Sequence, residues 1–165
     1  MNKHGYQRIP EILGEDEEDT RLLREMAKSA RDYISSFAWC PPIKDMYLAY
    51  GVGKVVAIFL VEFPEKIRET DDSLWVVVGD LPSAYLVVEP EDKPAGALAR
   101  YCELMEDWIS AVKISGDLRN VFPVAAAPTY ENADLLRSRI RFLRKEIFSK
   151  ISRSDGGHSS KGFFH

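Results

Sequence analysis

Residues 46–63, MYLAYGVGKVVAIFLVEF, decide the fold. Two apolar runs, Met46 to Val52 and Val55 to Phe63, are joined through Gly51-Val52-Gly53-Lys54. Both runs are rich in β-branched and aromatic side chains and meet at glycines able to take positive φ, so the stretch predicts a β-hairpin. The Gly-Val-Gly-Lys string is therefore a turn. It lacks the spacing and the following Ser or Thr of a phosphate-binding loop.

Outward from the hairpin, Leu74–Val78 and Ala84–Val88 predict a second strand pair, turning through Gly79-Asp80-Leu81-Pro82-Ser83. Their continuous apolar character requires cover on at least one face. Upstream, Leu22, Leu23, Met26, Ala27, Ala30, Ile34 and Phe37 recur at three- and four-residue spacing and predict an amphipathic helix. The acidic run Glu15–Asp19 suits its first turn, and Cys40-Pro41-Pro42 ends it. Downstream, Leu98, Tyr101, Cys102, Met105, Trp108, Ile109 and Val112 form a second helical stripe, entered at Pro94 and stopped at Gly116. Thr129 is a suitable N-cap for a last helix that buries Leu136, Ile140, Leu143 and Ile147.

The expected fold is α+β: a four-stranded antiparallel meander, one N-terminal helix and two C-terminal helices, packed mainly on one face of the sheet. Residues 1–14 are expected to be an arm, 15–151 a single domain, and 152–165 a flexible tail.

The 165 residues carry 22 basic and 26 acidic side chains. Residues 51–113 hold 6 basic and 12 acidic groups, and residues 114–165 hold 9 and 5, so the middle is acidic and the end basic. The three histidines, His4, His158 and His165, all fall near the ends of the chain. The body thus lacks the usual proton shuttle and commonest metal ligand, which argues against most hydrolase, nuclease and zinc chemistry. Cys40 and Cys102 belong to no Cys-x-x-Cys pair and read as reduced thiols. No apolar run reaches the ~20 residues of a membrane span. The opening stretch has no apolar signal region, so a cytoplasmic protein is expected. No cofactor and no metal are expected.

Three groups of residues are candidates for function. Glu62, Asp71, Asp72, Asp80, Glu103, Glu106 and Asp107 are expected to form an acidic face for a protein partner. Asp80, at a strand end, is the carboxylate on which a small carboxylate- or metal-dependent enzyme would centre. Trp39, Tyr47, Tyr50, Trp75 and Tyr85 would line a pocket if the domain binds a small ligand. A strip of Arg137, Arg141, Arg144 and Lys145 reads as a solvated helix face, and a net negative chain is a poor binder of nucleic acid.

The strings Trp39-Cys40-Pro41-Pro42-Ile43, WVVVGDLPSAYLVV (75–88) and FPVAAAPT (122–129) resemble a family of small bacterial proteins without an assigned activity. The similarity covers roughly residues 20–150. Domains of this size and class are similar to immunity proteins of toxin–immunity systems. That resemblance implies a non-enzymatic binding protein which neutralises a cognate basic toxin or nuclease domain through its acidic surface, with no catalytic residues of its own.

Overall fold

The computed structural model describes residues 5–67 and 72–160, with side chains described as far as residue 154. The chain separates into two compact units, Met1–Pro90 and Glu91–His165. Counted over the whole sequence, the first carries 10 basic and 16 acidic side chains and the second 12 and 10. The acidic excess therefore belongs to the first unit.

The first unit is a five-stranded antiparallel sheet with spatial order β1-β2-β3-β4-β5. Its strands are β1 (Gln7–Arg8), β2 (Asp45–Val52), β3 (Val56–Glu62), β4 (Ser73–Gly79) and β5 (Leu81–Val87). Helix α1 (Glu17–Ser35) lies between β1 and β2 in sequence. The register runs in rows across the sheet, one of them Leu48, Phe59, Val76 and Tyr85. This row, with Met46, Ala57, Val61 and Leu74, joins Leu23, Met26, Ala27, Ala30 and Ile34 of α1 in one core. The neighbouring row, Tyr47, Leu60, Trp75 and Leu86, points to the opposite face and is also buried. Every residue of β3 is buried, as its unbroken apolar run requires of a central strand.

The structure differs from the sequence-based expectation at three places. The sheet has five strands, because Gln7 and Arg8 of the expected arm pair with Leu48 and Tyr47. Strand β5 begins at Leu81, so the turn after β4 is tight and Pro82 sits inside a strand. An edge strand tolerates this proline because its missing N–H leaves one side of the ladder intact. Helical backbone also continues through Phe148–Ser160, where a flexible tail is expected from residue 152.

The second unit is helical. Helix α2 (Pro94–Ser110) opens with Pro94 in its first turn and runs into a π-helical turn, Ala111–Ser115. Gly116 stops it at φ 70, its N–H donating to the Ala111 carbonyl. Helix α3 (Tyr130–Phe142) is capped by Thr129, whose Oγ1 accepts the Asn132 N–H at 3.1 Å. A second π turn, Leu143–Ile147, leads into α4 (Phe148–Ser160). Helix α2 packs against α3 and α4, and Leu98, Tyr101, Met105, Trp108, Leu136, Ile140, Leu143 and Ile147 are buried.

Candidate functional site

One end of the first sheet gathers three turns. Asp16 caps α1 by accepting the Asp19 N–H at 2.8 Å. Thr20 Oγ1 accepts the Gly14 N–H at 2.8 Å and donates to the Asp16 carbonyl. Asp19 does not serve the helix alone. Its Oδ2 accepts the Glu15 N–H at 2.9 Å, and its Oδ1 accepts the Gly53 N–H in the β2–β3 turn, also at 2.9 Å. That turn closes through Val55 N–H to the Val52 carbonyl, with Lys54 at φ 74. The Val55 carbonyl accepts the Asp80 N–H at 3.1 Å, which ties in the β4–β5 turn.

This network fixes Glu15, Asp16, Glu17, Glu18 and Asp80, all exposed, at the same end of the sheet. Glu18 is held by Arg21, which reaches its two oxygens at 3.1 and 2.5 Å and also bonds Glu25 at 2.6 Å. The Arg21 hydrogen bond holds the Glu18 carboxyl below its ordinary range. The like charges are carried in part by the exposed N–H groups of the first helical turn. Lys54, exposed in the β2–β3 turn, also acts on Glu18, so the arrangement offers a rim with an excess of negative charge, suited to meeting a cationic surface.

The expected acidic face divides on this geometry. Asp80 belongs to the end just described. Asp72 is exposed at the opposite end of β4, roughly 20 Å away for a strand of this length. Glu62 cannot face a partner: it is only 8% exposed, in the central strand, with the Tyr47 hydroxyl 3.5 Å from its Oε1. A single charge ending an apolar run reads from sequence as a wet strand end, but every residue of β3 is buried. Asp71 lies outside the described residues. In the second unit Glu103 and Asp107 are exposed one turn apart on α2. Glu106 instead forms a two-pronged ion pair with Arg144 at 2.9 and 3.1 Å. Among the described residues, no three His, Cys, Asp or Glu side chains converge as a metal site.

The five aromatic residues expected to share a pocket lie on two faces. Tyr47, Tyr50 and Trp75 belong to the face turned away from α1, where Tyr6 approaches Trp75 at 6.3 Å between centroids. Trp39 and Tyr85 join Tyr33 and Phe37 at the other end of α1. Phe37 stacks on Trp39 at 5.4 Å, and Tyr85 meets both edge-on at 5.2 and 5.3 Å. At these separations the rings pack on one another. Burial pushes the Tyr33 phenol well above its ordinary range and the Cys40 thiol upward. Such a thiol is a poor nucleophile at neutral pH.

The carboxylates of Glu15 to Glu18 are the site residues that sequence reasoning assigned only to helix capping. Their density was the available signal. Their placement beside Asp80 depends on Asp19 reaching a hairpin 34 residues away. No family model, curated protein or solved structure matches the chain. Among the described residues, no helix is long and apolar enough to cross a membrane.

Proposed function

We propose that this chain is a non-enzymatic protein-binding domain of the immunity type, which blocks a basic toxin or nuclease domain in the cytoplasm. The observation that carries the reading is the fixed end of the first unit, where Glu15, Asp16, Glu17 and Asp80 stand exposed around the Asp19–Gly53 hydrogen bond. A preorganised rim whose carboxylates outnumber its cations, Lys54 and Arg21, speeds encounter with a cationic partner and selects against anionic ones. Within the second unit, Glu103 and Asp107 form a separate, smaller acidic pair on α2. Asp72 makes a third contribution from the far end of β4.

The test is co-expression of the tagged chain with the product of the adjacent gene, followed by association kinetics at two salt concentrations. A complex is expected whose on-rate falls steeply with salt. Reversing Glu15, Glu17 and Asp80 to lysine is expected to slow association about tenfold or more at low salt. Reversing Asp72 alone is expected to have a smaller effect. Absence of a complex, or one indifferent to salt and to the triple reversal, overturns the proposal.

A further inference from the structure

Helix α3 carries large apolar side chains on the side that its own core does not use. Ala133, Leu136 and Ile140 are buried. At 100° per residue, Leu135, Ser138 and Phe142 fall on the opposite side of the helix. All three are exposed, Leu135 at 55% and Phe142 at 46%. Isolated surface leucines need no explanation, but an aligned pair seven residues apart on the outer face of one helix is a seam. The charges around the seam are ordered as well. Glu131 and Asp134 precede its centre, while Arg141 and Lys145 follow it, all exposed.

We propose that α3 is the contact surface of a homodimer, in which it packs antiparallel on the same helix of a second copy about a twofold axis at Ser138. A twofold contact must be self-complementary, and this face is. With the axis at Ser138, Leu135 meets the partner's Phe142 and Phe142 meets the partner's Leu135. Glu131 faces the partner's Lys145, and Asp134, which also pairs with Lys113, faces the partner's Arg141. The small side chain of Ser138 lets the two helices approach at the crossing point. Acids at a helix start and bases at its end also suit the helix dipole. The dipole does not account for Leu135 and Phe142, which antiparallel pairing removes from water. A contact about 20 Å long is short for a standard stable interface, so the dimer is expected to be weak.

The inference concerns the second unit and stands apart from the proposed acidic site. It is tested on the full chain by sedimentation velocity between about 5 and 500 µM, a range that reaches the concentrations a weak dimer needs. The weight-average mass is expected to rise toward twice the monomer with concentration. Joint substitution of Leu135→Arg and Phe142→Arg is expected to hold the chain monomeric with an unchanged circular dichroism spectrum. Glu131→Lys is expected to weaken association and Lys145→Glu, added to it, to restore it. Ser138→Cys places two thiols at the axis and is expected to give a disulfide-linked dimer under mild oxidation. Ser149→Cys lies eleven residues from the axis and is expected to give none, as is the unaltered chain. A wild-type chain that stays monomeric throughout, or Ser149→Cys crosslinking as readily as Ser138→Cys, overturns the proposal.

Discussion

The carboxylate of Asp19 accepts the backbone N–H of Gly53 at 2.9 Å, joining the first turn of a helix to the tip of a hairpin 34 residues later. Its other oxygen holds the Glu15 N–H, so one side chain sets both the entry to α1 and the docking of that helix on the sheet. Asp19→Ala is expected to cost about 1–3 kcal/mol, the usual range for charge-assisted bonds to partly buried groups. Asp19→Asn keeps one acceptor oxygen and is expected to lose less. Urea denaturation measures both. A loss under about 0.5 kcal/mol for the alanine variant would mean that the tie holds nothing together.

Glycine substitutions separate steric from conformational cost. At Gly116, φ is 70 but an added Cβ meets nothing within 4 Å, so Gly116→Ala is expected to cost only about 1–2 kcal/mol of backbone strain. At Gly79, φ is 152 and an added Cβ would run into the Val55 carbonyl, which is backbone and cannot step aside. Gly79→Ala is expected to cost clearly more than Gly116→Ala, by urea midpoint.

Gly53→Ala acts through its partner. The new Cβ would sit 2.5 Å from Asp19 Oδ1, displacing the carboxylate that holds the turn. The double variant Gly53→Ala/Asp19→Ala is expected to cost less than the sum of the two single changes, since both break the same bond. Strict additivity in the double-mutant cycle would contradict the geometry.

The three tryptophans report on different environments. Trp39 is 41% exposed on its aromatic cluster, whereas Trp75 and Trp108 are 1% and 2% exposed. Iodide is expected to quench only the Trp39 share of the emission, and Trp39→Phe is expected to remove the quenchable fraction. Quenching that survives this substitution would place a second indole in solvent.

Alkaline pH is expected to weaken the fold. Burial pushes the Cys102 thiol up to about 12, with Arg144 pulling the other way. Burial moves the Tyr33 phenol in the same direction. Each group keeps its proton in the folded chain at pH values where the unfolded chain releases it. Stability from these groups is therefore complete below about pH 9 and declines above it. For Cys102 the loss is at most about 2 kcal/mol by pH 10.5. Denaturant midpoints at pH 8 and pH 10.5 give the slope, which Cys102→Ala is expected to flatten.

Most of the architecture is legible in the sequence, and the exceptions share a cause. The hairpin from Met46 to Phe63 and the stripe from Leu98 to Ile109 are long, periodic and bounded by glycine or proline, so local patterning suffices. Strand β1 is two residues long and shows no period; it exists because Leu48 and Tyr47 offer it an edge. Pro82 argues for a turn until β5 is known to lie at the sheet's edge. The site is harder to read for the same reason. Whether Glu62 is wet depends on what covers β3, and the grouping of Glu15 to Glu18 with Asp80 depends on two long-range hydrogen bonds, Gly53 N–H to the Asp19 side chain and Asp80 N–H to the Val55 carbonyl. The pair Glu106–Arg144 spans 38 residues and cancels one charge from each of two stripes that read as exposed.

The ordering of the sheet has a kinetic corollary. Every strand bonds only to strands adjacent to it in sequence, and among the described residues the one α-helix between paired strands is α1, between β1 and β2. Loop-closure entropy is small at each step, so the sheet can zip up hairpin by hairpin without searching for distant partners. The longest closure left in the sheet is the pairing of residues 7–8 with β2 across α1, which loop-closure entropy is expected to place last. The first unit is thus expected to acquire nearly all its structure early, with its leading edge sealed last.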